Sequence, residues 1–124
     1  MAVSRDYLAF VLEQLREAGE IDSRRMFGGV GLYVDELFLA LIADEQLYLK
    51  ADATTRPRFE AAGCEPFRYE KKGGESISMS YFRPPEETME SSALMLPWAR
   101  LALEAAVRAR AAKPAKPAKK TKAR

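Results

Sequence analysis

Arg24, Arg25, Lys50, Arg68, Lys71 and Lys72 are cations interleaved with strand-forming residues. Side chains of that type, gathered at one sheet edge, would hold a phosphate group or an acidic partner. Arg24, Arg25, Lys71 and Lys72 are the candidate contacts for an anion or partner, although Glu70 and Glu75 flank the lysines and dilute their charge. Scattered, solvated charges are the default reading of such residues. Glu86, Glu87 and Glu90 are closely spaced carboxylates. Acid–base or metal chemistry would require converging partners, and acids at the start of a helical turn are the simpler reading. Cys64 is the single cysteine and the chain has no histidine. Histidine-based triads and the commonest metal ligand are therefore excluded, and the thiol has no imidazole to activate it. The Gly28–Gly31 segment (GGVG) fits neither the P-loop nor the GxGxxG pattern and reads as a structural turn. No catalytic residue, metal ligand or cofactor site is predicted, and the expectation is that the protein is not an enzyme.

The tail carries the clearest functional signal. Lys113, Lys116, Lys119, Lys120, Lys122 and Arg124 supply six positive charges with no acid among the last twelve residues. Removing those six from the formal net charge of +2 leaves the first 112 residues at about −4. A Lys-Pro-Ala repeat buries too little surface to order itself, so the tail is expected to be disordered when unbound. Its charge suits weak, salt-sensitive contact with nucleic acid, or merely solubility.

The elements that must position these residues follow from pattern. Three apolar runs, 30–34, 37–43 and 46–51, are separated by Asp35-Glu36 and Asp44-Glu45, which predicts a three-stranded meander. With two-residue loops, Val30, Leu32 and Val34 share a face with Leu37, Leu39 and Leu41. Phe38, Ala40 and Ile42 then share the other face with Leu47 and Leu49. A middle strand apolar on both faces is expected to be covered on both, by helices or by a partner subunit. Residues 67–81 predict a second hairpin around Gly73-Gly74, and a three-residue loop with a glycine bulge would pair Phe67 and Tyr69 with Met79 and Ile77. Residues 20–26 read as a connector.

Ser4 caps a first helix to Ala18, with a stripe of Tyr7, Val11, Leu15 and Ala18, and Gly19 stops it. A short middle helix starts after Thr54 or Thr55, carries Pro57 near its start and ends at Gly63. Glu86 to Glu90 predict a helical turn. A last helix presents Leu94, Trp98, Leu101 and Ala105 on one face, kinked at Pro97 or beginning near Leu96. The fold class is α+β: an antiparallel sheet of about five strands in two hairpin or meander units, with N-terminal, middle and C-terminal helices. The domains are 1–112, folded, and 113–124, tail. One cysteine, no signal-peptide layout and no long apolar run predict a cytoplasmic protein without membrane contact.

The stretches RRMFGGVGLYVDELFLALIADEQLYLKAD, RPRFEAAGCEPFRYEKKGG, SISMSYFRPPEE and WARLALEAA together resemble the N-terminal domain of the TfoX/Sxy family, over roughly residues 20–108. The resemblance implies an α+β domain without a known active site. Full-length members regulate natural competence in bacteria, are thought to act with a cyclic-AMP-responsive activator, and carry a second, C-terminal domain. Here a basic tail follows residue 112, so a stand-alone version is expected. Asp35-Glu36 stands where Asp-Gly is more usual in the family, and Pro97 where an ordinary helix former is.

The functional expectation is a non-catalytic regulatory or adaptor domain that works through a protein partner, with weak nonspecific nucleic-acid binding by the tail. Two other readings stand beside it. One is a small-molecule binder or enzyme using the Arg24–Gly31 region. The other is a structural dimerisation module, in which the partner is a second copy.

Overall fold

A computed structural model describes residues 4–26 and 28–112. The elements in chain order are α1 (Arg5–Leu15, continued by a 3-10 turn, Arg16–Ala18), β1 (Asp22–Met26), β2 (Gly29–Val34), β3 (Leu37–Ala43), β4 (Gln46–Lys50), α2 (Arg56–Ala61), β5 (Pro66–Lys71), β6 (Gly74–Phe82), a 3-10 turn (Glu86–Glu90) and α3 (Ser92–Ala112). The architecture is α+β, as the patterning predicts. The sheet has six strands rather than about five, in the order β1-β2-β3-β4-β6-β5, with every neighbouring pair antiparallel.

The extra strand is β1, which the sequence presents as a connector. Its residues, DSRRM, are exposed or nearly so, and an edge strand with little apolar pattern gives no period-2 signal. β4 and β6 join the two units through Leu49 opposite Phe82 and Lys50 opposite Tyr81.

Both polar breaks are two-residue hairpin turns, as assumed. Asp35, Glu36, Asp44 and Glu45 all take positive φ, between 51° and 68°. That is the left-handed pair a tight hairpin needs, adopted here without glycine. The faces of the meander differ from the expected ones. Val34 stands opposite Leu37, but the register shifts between Leu32 and Tyr33, so Tyr33 pairs with Phe38 and Leu32 with Ala40. Leu39 is the additional residue of a bulge, and it reverses the alternation beyond it. Val30 and Leu32 therefore share a face with Ala40, Ile42, Leu47 and Leu49, and all six are buried.

That face meets the helices. Val11 and Leu15 of α1, Phe59 of α2, and Met95, Ala99 and Ala102 of α3 complete one core with it. The predicted α1 stripe and the Ser4 cap are both present: Tyr7 N–H donates to Ser4 Oγ at 3.1 Å. Glu45 reinforces the same end, accepting from Ser4 N–H at 2.7 Å. At α2, Phe59 stacks on Phe82 with ring centroids 5.3 Å apart and tilts against Trp98 at 5.2 Å.

α3 starts at Ser92, earlier than Leu96, and runs through Pro97. Ser91 caps it, Oγ accepting from Leu94 N–H at 3.2 Å. The missing Pro97 donor falls within the second turn, where little of the helix precedes it. The buried face is broader than the expected one and loses its first residue. Leu101 and Ala105 are buried and Trp98 packs against the core, as expected, whereas Leu94 is 51% exposed and Met95, Ala99, Ala102 and Ala106 are buried in addition. Alanines on this face let the helix backbone approach the sheet closely, which adds them to the expected stripe.

In the second hairpin, Lys71 pairs with Gly74, leaving Lys72-Gly73 as a two-residue turn with Gly73 at φ +94°. Phe67 stands opposite Ser78 and Tyr69 opposite Ser76, not opposite Met79 and Ile77. The expected register relies on burial to choose the pairing. Ile77 and Met79 are 49% and 38% exposed, so the core does not reach this hairpin and turn geometry decides instead. The register then jumps between Pro66 and Phe67, where the strands re-enter the core.

Candidate functional site

The described helices contribute to one face of the sheet, so the expected two-sided cover is one-sided among the described residues. The other face is aromatic. β2 supplies Tyr33, β3 Phe38, β4 Tyr48 and β6 Tyr81. Phe38 sits 5.1 Å from Tyr33 and 5.9 Å from Tyr81, centroid to centroid. Tyr48 meets Phe67 of β5 edge-on at 4.8 Å, and Phe67 stacks on Tyr69 at 5.7 Å. Tyr33, Phe38, Tyr48 and Tyr81 each stand next to a core residue along their strands, as the period of two requires.

Two cations lie over the rings. The Arg24 guanidinium carbon is 4.5 Å from the Tyr33 centroid, and Lys50 Nζ is 5.3 Å from Tyr81 and 5.9 Å from Phe38. Such contacts hold a cation against a ring face at a cost in its hydration. Burial pushes the Tyr48 and Tyr81 phenols above their ordinary value, so they remain neutral donors across the physiological range.

A cavity of about 290 Å³ opens on this face, lined by Met26, Phe38, Leu41, Ala43 and Phe67, with Asp44 at its wall. The glycines explain its floor. A Cβ on Gly31 would lie 2.6 Å from Met26 Cε and 2.8 Å from Phe38 Cε1, so these two side chains occupy the space above the strand. A Cβ on Gly29 would meet the Ile42 carbonyl oxygen at 2.5 Å. The glycine run is thus a close strand contact rather than a phosphate cradle. Phe27, within the Met26–Gly29 core of the family likeness, lies outside the described residues.

The predicted cations are distributed, not gathered. Arg24 and Arg25 are on β1 and Lys71 is on β5, the two opposite edge strands, with Lys72 in the β5–β6 turn. Arg24 also pairs with Glu36, Nη2 to Oε1 at 3.2 Å. Neither Arg24 nor Arg25 lines the cavity. Lys113, Lys116, Lys119, Lys120, Lys122 and Arg124 lie outside the described residues. Glu86, Glu87 and Glu90 fall in the 3-10 turn before α3. Among the described residues, no group of three or more histidine, cysteine or acidic side chains is placed to hold a metal ion. Burial, and secondarily the charge of Glu87, push the Cys64 thiol up, away from the reactive thiolate. No described helix is long and apolar enough to cross a membrane.

The sequence reading missed the aromatic face. Its signal was present: Tyr33, Phe38, Tyr48, Phe67 and Tyr81 each sit at the non-core phase of a strand. The bulge at Leu39 hid their common side.

A family model described as the TfoX N-terminal domain matches residues 13–106. The chain belongs to this family. The match takes in the last three residues of α1, all six strands and most of α3, so the aromatic face and most of the core belong to the family domain. Among curated TfoX-type relatives, the DNA transformation protein TfoX1 of Aliivibrio fischeri (strain ATCC 700601 / ES114) is 32% identical over 90 residues, covering 73% of this chain and 43% of that protein. Protein Sxy of Escherichia coli (strain K12) is 27% identical over 96 residues, covering 77% of this chain and 46% of that protein. The chain therefore spans a little under half the length of the TfoX relatives it matches.

Proposed function

We propose that residues 1–112 form a non-catalytic regulatory or adaptor domain that acts by binding a protein partner through the aromatic face of its sheet. One observation carries the reading: helices cover one face, while the other presents rings and a 290 Å³ apolar cavity. Apolar surface of this kind marks an interaction site in a soluble protein. The regulatory role, in DNA uptake, is taken from the TfoX relatives, one of which is named a DNA transformation protein. The tail, residues 113–124, adds weak nonspecific nucleic-acid affinity, and six cations without an acid support that.

Transcript profiling tests the role. Deleting the protein from its host is expected to change a defined transcript set, and Leu41→Asp, at the cavity wall, to reproduce that change while the protein stays folded. A deletion without transcriptional consequence would contradict the reading. DNA binding by the full chain should be weak and should fall steeply with salt. Replacing the six tail cations by glutamine should abolish it.

The cavity also favours a second reading, a small apolar ligand in place of a partner's side chain. Isothermal titration with apolar compounds distinguishes the two, since heat from a small molecule that Leu41→Asp removes would support the ligand. A second copy of the chain is a further candidate for the uncovered face, and sedimentation at high concentration tests it.

A further inference from the structure

We infer that the cavity on the aromatic face receives a basic side chain of the protein partner, a lysine or an arginine, with its aliphatic stem beside the rings and its charged head at Asp44. The inference rests on the partner reading above and specifies that partner's anchor. The cavity is lined by the Phe38 and Phe67 rings, Met26, Leu41 and Ala43, and Asp44 is the one charged residue among its described lining residues. At about 290 Å³ it falls just below the roughly 300–1,000 Å³ of pockets for drug-sized ligands, and it suits a single side chain.

Charge decides between the guests that the apolar walls would accept. Asp44 is exposed, in the turn between β3 and β4, so a head group beside it stays hydrated while the stem is covered. Long basic side chains bury in this way, methylenes against apolar surface and charge in water. A wholly apolar anchor would gain nothing from the carboxylate and would partly desolvate it, and an acidic anchor would be repelled. The charge of Asp44 also reaches the rings: after burial, the largest cause, it is among those that raise the Tyr48 phenol, and Tyr48 meets Phe67 edge-on. Rings of this face already hold cations, Arg24 over Tyr33 and Lys50 over Tyr81 and Phe38, and a guest at Phe38 and Phe67 would be held by the same attraction. Lys50 stands at the other end of the face. Ala40 pairs with Leu49, so Lys50 lies past the Ala40 end of β3, and Ala40 to Asp44 is four residues, about 13 Å of strand. Its Nζ leans toward Tyr81, at 5.3 Å, more closely than toward Phe38, at 5.9 Å.

The test is an NMR titration of the ¹⁵N-labelled full chain, at low ionic strength, with two tripeptides: acetyl-Ala-Lys-Ala-amide and its uncharged counterpart with norleucine in place of lysine. The amides of Gly29, Leu41, Ala43 and Asp44 are expected to shift saturably with the lysine peptide. The norleucine peptide should bind about two- to fivefold more weakly, the difference an exposed ion pair supplies. Asp44 has φ 54°, a left-handed backbone that asparagine also accepts, so Asp44→Asn keeps the turn. That variant should lose the preference for lysine, Asp35→Asn in the other turn should retain it, and high salt should erase it. Equal or tighter binding of the norleucine peptide, a preference that survives Asp44→Asn, or no shift from either peptide would overturn the inference. The partner reading is judged separately, by a photo-crosslink from Leu41 in native cells. An adduct formed by a chain that shows no preference for lysine would keep the partner and sink its basic anchor.

Discussion

Arg108, near the end of α3, grips Asp52, just before α2, with two parallel hydrogen bonds: Nε to Oδ2 at 2.7 Å and Nη2 to Oδ1 at 3.1 Å. Asp52 is committed further, accepting the N–H groups of Thr54 and Thr55 at 3.1 Å each. Thr55 returns the contact, its Oγ1 accepting from Asp52 N–H at 3.0 Å. The pair ties the C-terminal helix to the turn that starts the middle one. It does locally what a capping side chain on Thr55 would otherwise do.

This arrangement has a pH signature. The hydrogen bond from Arg108 is the largest cause holding the Asp52 carboxyl down to about 2, from 3.8. Between those values the unfolded chain binds more protons than the folded one, so stability rises with pH there. The contribution is complete above about pH 4 and is lost as pH falls through 3.8 toward 2. Urea midpoints for Arg108→Met should therefore fall below wild type at neutral pH and converge on it near pH 2. A constant difference across that range would contradict the assignment.

Gly29→Ala should destabilise the domain by about 2–3 kcal/mol, because the added Cβ meets backbone rather than a movable side chain. Gly31→Ala presses on the ends of Met26 and Phe38, which can shift, and should cost about 1 kcal/mol. Thermal midpoints of the two variants check the order, and the reverse order would show that the β2–β3 contact is misplaced.

How much of this was legible in the sequence follows the same distinction between pattern and register. The Asp35-Glu36 and Asp44-Glu45 breaks mark three strands because apolar runs stop there for two residues. Ser4 and Gly19 bound the first helix for equally local reasons. Register is not local. The bulge at Leu39 depends on how β2 and β3 pack, and nothing in LFLALIA marks which leucine is the additional one. The β5–β6 pairing failed as an expectation because Ile77 and Met79, apolar in type, are not core residues. β1 escaped because DSRRM is an edge, held by backbone bonds to β2 rather than by apolar burial. Of the candidate site, the cations were visible as residue types, but strand order alone decides that Arg24 and Lys71 stand on opposite edges.

The two hairpin turns should respond differently to glycine. Left-handed backbone costs a non-glycine residue about 1–2 kcal/mol. Glu36→Gly removes that cost and gives up only an exposed ion pair with Arg24, worth about 0.2–1 kcal/mol. A gain of about 0.5–1 kcal/mol is expected on this balance. Glu45→Gly also releases the Ser4 N–H at the start of α1 and should be close to neutral. Equal gains at both turns, measured by denaturant unfolding, would show that the Glu45 contact contributes nothing.

Phe82 is where the two halves of the sheet meet the middle helix, opposite Leu49 on one side and stacked on Phe59 on the other. Phe82→Ala should cost about 3–5 kcal/mol, enough to lose cooperative unfolding in a small domain. A loss below 1 kcal/mol would mean that the β4–β6 junction is not part of the core.

The central claim is that the uncovered sheet face receives a protein partner, and crosslinking tests it most directly. A photo-reactive residue is placed at Leu41, in the cavity wall, or at Leu94, exposed on α3, in the full chain within its native cells. A discrete covalent adduct of one size is predicted from position 41, absent from position 94, and lost when Phe67→Asp is added to the same chain. No adduct from position 41, or the same adduct from both positions, would contradict it.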